Sequence, residues 1–126
     1  AAIAAVMVED TIAYSKEREQ FGAPLASFQA LQHRMVDMYL KAQELSAASL
    51  LAALKVTDPA AVHAAKATMA DALRHIGQEA VQLHGAMGLT EELRVGHYFK
   101  RAAVLEHKLG GADAHVARYG ALRIPA

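Results

Sequence analysis

The feature that most limits the fold of this chain is a pair of long helix-patterned segments that meet at Thr57-Asp58-Pro59. Apolar residues recur at spacings of three and four from residue 28 to about residue 55, and again from Pro59 to about Gly85. Asp58 is a suitable N-cap and Pro59 suits the first position of a helix, so the second segment is predicted to begin there. At ~1.5 Å per residue the first segment is roughly 40 Å long, and few compact monomers need so long a helix.

The first part of the chain is predicted to be a helix followed by a bend. Residues 1 to about 19 carry apolar side chains at helical spacing with charged residues between them, and Gly22 and Pro24 interrupt the pattern. Ser27 is the expected N-cap of the long helix that follows. Because the first residues already have the pattern of a helix interior, we expect the chain to be part of a longer polypeptide.

Two shorter helices complete the pattern. Thr90-Glu91-Glu92 places a capping hydroxyl before two carboxylates, which favours a helix from about 92 to 108. Gly110-Gly111 ends that helix, and a last short helix is expected from about 112 to 122. No segment shows the alternation typical of a strand. We predict that residues 1–126 form one all-α domain, an up-and-down four-helix bundle with a short extra C-terminal helix.

Charge and composition argue against several classes of function. The 13 basic residues balance 13 acidic ones, which gives no preference for nucleic acid or an anionic membrane as a partner. No apolar run approaches the ~20 residues of a membrane span, and the N-terminal residues lack the basic region of a signal peptide. We therefore expect a soluble, cytoplasmic protein. The absence of cysteine excludes disulfides and thiolate chemistry.

Searches for metal, hydrolase and phosphate-loop motifs give no candidate. The seven histidines form no HExxH motif and no pair one helical turn apart, so no metal is expected. No serine lies in a nucleophile elbow, which argues against a hydrolase. Segments 85–88 and 110–111 are glycine-rich but follow no strand, which favours helix ends over a phosphate-binding loop.

Two remaining motifs are suited to a ligand. The bend Arg18-Glu19-Gln20-Phe21-Gly22, followed by Phe28-Gln29, combines a cation, aromatic rings and amides, as a nucleotide-like ligand requires. His84 lies between Gln82 and Gly85 at a predicted helix end, where freed backbone amides are expected to favour an anion. Taken alone, each motif also fits an ordinary surface or packing role.

Together these motifs resemble the C-terminal helical domain of the acyl-CoA dehydrogenases. The matching pattern is, in order, Tyr14-x3-Arg18-x-Gln20-Phe21-Gly22-x-Pro24-Leu25, Phe28-Gln29-x2-Gln32, Asp37-Met38 and Gln82-x2-Gly85-x2-Gly88. It covers almost the whole chain, and its parts are separated by the helix lengths of that family.

The resemblance implies a flavoenzyme built from an N-terminal helical domain, a middle β-domain and this C-terminal bundle. Such enzymes use FAD to oxidise an acyl-CoA thioester to the 2,3-enoyl-CoA, with an electron-transfer flavoprotein as a further partner. Their bundles pack together at the centre of a homo-oligomer or heteromer. By this resemblance the domain contributes flavin contacts and an oligomer interface, and it is expected to be inactive alone.

The resemblance also implies which residues contact FAD. Arg18 would neutralise the pyrophosphate, and Phe21 and Phe28 would pack at the nucleotide. Gln82 and the backbone of residues 83–86 would contact the adenosine half of a partner subunit's FAD. The implied cofactor-binding residues are Arg18, Gln20, Phe21, Phe28, Gln29, Gln82, His84, Gly85 and Ala86.

Two positions depart from the family pattern. The family usually has glycine where this chain has Ala86, and commonly a catalytic glutamate where an ungapped alignment places Leu109. Leucine cannot abstract the substrate α-proton, and Glu106, one helical turn earlier, is expected to point differently. We therefore assign no catalytic residue to this chain.

Three accounts of the missing base remain open. The glutamate is located just upstream of Ala1, as in some family members, or a second chain carries it, or the bundle has lost flavin and serves only in assembly. The segments Gln82-Leu83-His84-Gly85 and 96–101 look more like the small subunits of heteromeric enzymes that act on dicarboxylyl or steroid side-chain CoA esters. This likeness favours the second account. A non-catalytic assembly domain is the alternative function.

Overall fold

A computed structural model of the chain describes residues 1–90 and 92–124, most of which are helical. The helices are α1 (Ala2–Glu17), α2 (Gln29–Leu54), α3 (Pro59–His84), α4 (Arg94–His107) and α5 (Ala112–Arg123). This arrangement confirms the predicted all-α class with a short additional C-terminal helix. Within the described ranges, no helix combines the length and the apolar character that a bilayer span requires.

Helix α3 is the centre of the bundle, because it packs against each of the other four helices. The largest buried apolar side chains come from all of the first four helices: Met7, Met38, Leu45, Ile76 and Val95. Burying a side chain of this size contributes roughly 2 kcal/mol. At Gly77 a Cβ atom would lie 3.0 Å from the ring of Phe99, so glycine allows α4 to approach α3 closely.

The junction between α2 and α3 confirms the predicted cap. The carboxylate of Asp58 accepts a hydrogen bond of 3.0 Å from the Ala60 N–H, and Pro59 occupies the first turn. Its other oxygen lies 2.5 Å from Nη2 of Arg123 on α5. Asp58 therefore both starts α3 and ties the C-terminal helix to the bundle.

The two other predicted caps are wrong. Helix α2 is preceded by a 3₁₀ turn over Leu25–Ser27, and the Ser27 hydroxyl donates backwards to the Pro24 carbonyl at 2.7 Å. Thr90 likewise donates to the Met87 carbonyl at 2.9 Å, and α4 begins only at Arg94. In both places the hydroxyl donates to a backbone carbonyl of a 3₁₀ turn, so it does not cap the α-helix that follows. Glu91, the first carboxylate of the predicted start, lies outside the described residues.

A short hairpin between α1 and α2 was not anticipated from the sequence. Strand β1 (Glu19–Gln20) pairs antiparallel with β2 (Ala23–Pro24), with Gln20 opposite Ala23. The alternation that identifies a strand needs at least four residues, so a two-residue ladder leaves no pattern in the sequence. The hairpin fixes the Arg18 to Pro24 bend at one end of the bundle.

Candidate functional site

The turn of the hairpin holds an aromatic side chain in a strained and exposed position. Phe21 and Gly22, the two residues between the strands, both have positive φ, at 57° and 80°. Glycine tolerates this region, whereas for a bulky residue it costs on the order of 1–2 kcal/mol. The Phe21 side chain is 92% exposed and contacts the Phe28 ring edge to face, at 6.3 Å between centroids. An exposed ring at a strained backbone position makes Phe21 a candidate contact for a ligand or partner.

A cleft of about 350 Å³ lies beside the hairpin, between the end of α1, the start of α2 and the end of α3. Six of the residues that the sequence nominated line it together: Arg18, Gln20, Gln82, His84, Gly85 and Ala86. They come from two motifs more than 60 positions apart in the chain, so the fold joins both motifs into one site. The other three nominated residues lie beside this site: Phe21 and Gln29 are exposed, and Phe28 is half-buried.

The end of α3 corrects one expectation about this site. Residues 82–84 form the carboxyl end of the helix, where the unpaired backbone groups are carbonyls and the helix dipole is negative. The N–H of Gly85, with φ 60°, already donates to the Gln82 carbonyl. The Gly85 amide and the dipole of α3 therefore do not supply the attraction for an anion that the sequence suggested.

His84 forms part of the cleft wall and is packed in place. Its Nδ1 lies 2.8 Å from the Ala80 carbonyl, and because a carbonyl only accepts, Nδ1 carries the proton. The imidazole stacks on Tyr14 with centroids 4.3 Å apart, and the Tyr14 hydroxyl donates to the His84 carbonyl at 3.4 Å. The stacked pair joins the end of α1 to the end of α3. It also borders a second cleft of about 200 Å³ that includes Asp10 and Arg94.

Sequence reasoning missed Arg34, which lines the same cleft from α2. Its Nε donates to Oε2 of Glu79 on α3 at 2.5 Å, and its side chain is 37% exposed. Arg34 lies within a regular helical pattern, where an arginine looks like any solvated charge. The only sequence signal is its position on the helix that starts at Phe28-Gln29.

The loop between α4 and α5 presents a leucine where the resemblance expects a glutamate. Leu109 has φ 67° and is 81% exposed, and Gly110 follows at φ 110°. The Leu109 carbonyl accepts a hydrogen bond of 3.1 Å from Nε2 of His115. The loop thus has a fixed, left-handed backbone, but its exposed side chain cannot accept a proton.

Glu106, the nearest carboxylate before this loop, is committed to an ion pair. It is 7% exposed, and its Oε1 lies 2.7 Å from Nε of Arg74 on α3. This hydrogen bond and the charge of the carboxylate raise the pKa of Arg74 above its usual value. This geometry agrees with the expectation that the Glu106 carboxylate points away from the position of a general base.

Two histidines meet below the same loop. Nδ1 of His63 lies 2.9 Å from Nδ1 of His115. Since Nε2 of His115 donates to the Leu109 carbonyl, its Nδ1 accepts and that of His63 donates. Burial is the main cause that lowers the pKa of His115 below its usual value. The hydrogen bond to the Leu109 carbonyl opposes this shift, and the nearby His63, Arg118 and Lys66 add to it. In the part of the chain that the structure describes, no three His, Cys, Asp or Glu side chains could hold a metal together.

The fold is a helical bundle with an open cleft beside the hairpin, lined by guanidinium and amide side chains. Residues 1–119 match the family model described as acyl-CoA dehydrogenase, C-terminal domain. The chain belongs to the acyl-CoA dehydrogenase family, of which it is a C-terminal domain.

Individual relatives agree with this family and are much longer than the chain. Acyl-CoA dehydrogenase IpdE2 of Mycolicibacterium smegmatis is 44% identical over 94 residues, 73% of this chain and 29% of the relative. The crystal structure of the ChsE4-ChsE5 complex from Mycobacterium tuberculosis superposes with a TM-score of 0.91 at 29% identity, covering 98% of this chain and 35% of the other. The FAD complex of PigA gives a TM-score of 0.83 at 25% identity, covering 95% and 33%. This chain therefore spans about a third or less of each of them.

Proposed function

We propose that this domain supplies part of the FAD site of an acyl-CoA dehydrogenase, which oxidises an acyl-CoA thioester to the 2,3-enoyl-CoA. The observation that carries the proposal is the cleft in which Arg18 and Gln20 meet Gln82 and the Gly85-Ala86 turn. A guanidinium group suits a pyrophosphate, and amide side chains suit the polar edge of adenine. The exposed Phe21 ring beside the cleft offers a face for stacking.

The cleft is open on this domain, so the rest of the FAD site must come from elsewhere. We propose that a partner subunit brings the adenosine half of its FAD to this cleft. FAD, when bound, accepts the hydride of the substrate. The residues of this chain bind and orient the cofactor, and none of the described ones is proposed to move the substrate α-proton. The assembly would work in the cytoplasm, with an electron-transfer flavoprotein as electron acceptor.

The test uses the longest natural polypeptide that contains this chain, purified with any subunit that accompanies it, called here the full-length assembly. We expect bound flavin, detected by its absorbance, and a large loss of FAD on Arg18→Met or Gln82→Ala. Arg123→Met on α5, which pairs with Asp58 at the start of α3, is the control and should retain FAD. An assembly without flavin, or full retention of FAD in both cleft variants, would refute the cofactor assignment.

A second candidate is a heteromer in which this chain is the partner of a catalytic subunit. Leu109 favours it, because the loop offers no carboxylate at the position that the family uses. The similarity to the ChsE4-ChsE5 complex is compatible with it. Copurification of an unlike subunit whose own loop carries a glutamate needed for activity would support the heteromer. Full activity of a homomeric assembly would rule it out.

A further inference from the structure

The cleft has an electrostatic requirement that Arg18 alone does not meet. Its floor is the carboxyl end of α3, where the helix dipole is negative and disfavours an anion. A diphosphate carries at least two negative charges, and each is best matched by its own charge-assisted donor. The described residues that line the cleft include two guanidinium groups, those of Arg18 and Arg34, and no carboxylate.

The contact with Glu79 leaves Arg34 able to bind a ligand. Among the described residues, the hydrogen bond from Nε to Glu79 is the one that holds the Arg34 guanidinium. The two terminal nitrogens are the part of the fork that grips a phosphate through two parallel N–H bonds. The Glu79 side chain is only 22% exposed and does not line the cleft, so it orients the guanidinium from behind.

We propose that Arg34 is a second phosphate ligand, and that Arg18 and Arg34 together make this cleft selective for a nucleoside diphosphate group over a monophosphate. This inference rests on the proposed FAD site and names the part of the cofactor that Arg34 recognises. Arg18, at the end of α1, approaches from the hairpin, and Arg34 approaches from α2. Each arginine takes one phosphate, while Glu79 is a positioning residue for Arg34.

The experiment measures nucleotide binding to the flavin-stripped full-length assembly by calorimetry, with FAD, ADP and AMP as probes. The unmodified protein should bind ADP roughly 10-fold more tightly than AMP, the effect of one charge-assisted contact. Arg34→Met should weaken ADP and FAD by roughly 10-fold and AMP much less, so that the ratio approaches one. Arg34→Lys, which keeps the charge without the fork, should fall between them.

Two further variants separate recognition from packing. Arg123→Met removes another arginine that pairs with a carboxylate, far from the cleft, and should leave the ADP to AMP ratio unchanged. Glu79→Gln keeps an acceptor for Nε but removes a negative charge, so ADP should bind equally or more tightly. If Arg34 only tied α2 to α3, both Arg34→Met and Glu79→Gln would lower the melting temperature without changing the ratio, and the proposal would be overturned.

The outcome also distinguishes this inference from the function on which it rests. Loss of FAD on Arg18→Met with an unchanged ratio on Arg34→Met would refute the role of Arg34 and leave the FAD site standing. No effect of Arg18→Met and of Gln82→Ala on FAD would refute the FAD site itself. Loss of the preference for ADP over AMP in both Arg18→Met and Arg34→Met supports the pair.

Discussion

The hairpin beside the cleft and the loop around Leu109 share one backbone conformation but present different side chains. Each has a bulky residue at positive φ followed by a glycine at positive φ, Phe21-Gly22 in the hairpin and Leu109-Gly110 in the loop. Around the first, the fold gathers guanidinium groups, amides and aromatic rings. Around the second it presents an aliphatic side chain on a backbone held by His115. The same backbone conformation thus carries polar and aromatic groups in one place and an exposed aliphatic side chain in the other.

The largest effect is expected from filling the turn under the cleft. A Cβ atom at Gly88 would lie 2.8 Å from the backbone oxygen of Val81, so Gly88→Ala should lower the free energy of unfolding by about 2–3 kcal/mol. We expect chemical denaturation of the full-length assembly to show this, together with weaker FAD. Gly120→Ala in α5 is the control, because nothing lies within 4 Å of its Cβ, and it should stabilise by ~0.5–1 kcal/mol. Equal effects would show that the Gly88 turn is not tightly packed.

Phe21→Gly tests whether the strained ring in the hairpin serves binding. Glycine relieves the positive φ, but removing a stacking ring should weaken FAD by roughly 10-fold in a titration of the stripped assembly. Phe21→Tyr keeps the ring and should bind FAD as the unmodified protein does. FAD binding that is unchanged by the loss of the ring would remove Phe21 from the site.

Leu109→Gly should change the stability of the protein and leave its affinity for FAD unchanged, in contrast to Phe21→Gly. Because Leu109 is exposed and left-handed, glycine should raise the free energy of unfolding by about 1 kcal/mol without changing FAD affinity. Thermal unfolding and flavin titration of the same sample measure both quantities. A loss of FAD here would mean that the loop and the cleft serve one site, and the comparison between them would fail.

The smallest effect concerns pH at the loop. The pKa of His115 is lowered in the folded protein, so the unfolded chain binds more protons below about pH 6.5. The stabilising contribution is therefore complete above that pH and is lost as the pH falls toward the folded pKa. Hydrogen exchange of α5 amides in the full-length assembly should show faster opening at lower pH. His115→Gln should flatten this dependence, whereas His33→Gln, on the exposed face of α2, should leave it in place.

The sequence predicted the helices well, because periodicity and the Asp58-Pro59 start are local signals. It failed at Ser27 and Thr90, since a hydroxyl serves a 3₁₀ turn as readily as an α-helix and the choice depends on neighbouring packing. It also suggested a freed amide at Gly85, whose N–H instead donates to the Gln82 carbonyl. Arg34 could not be identified from the sequence, because only the tertiary fold brings the start of α2 to the end of α3. The roles of the nominated FAD contacts remain predictions.

The central position of α3 has a thermodynamic consequence for ligand binding. The cleft is built on the end of the one helix that packs against α1, α2, α4 and α5. A ligand that binds only the intact end of α3 therefore stabilises every interface of the bundle, by RT ln(1 + [L]/Kd). At a ligand concentration 100 times Kd this amounts to about 2.7 kcal/mol, a large part of the stability of a domain of this size. Occupancy of an open surface cleft would thus raise the free energy of unfolding of the whole domain.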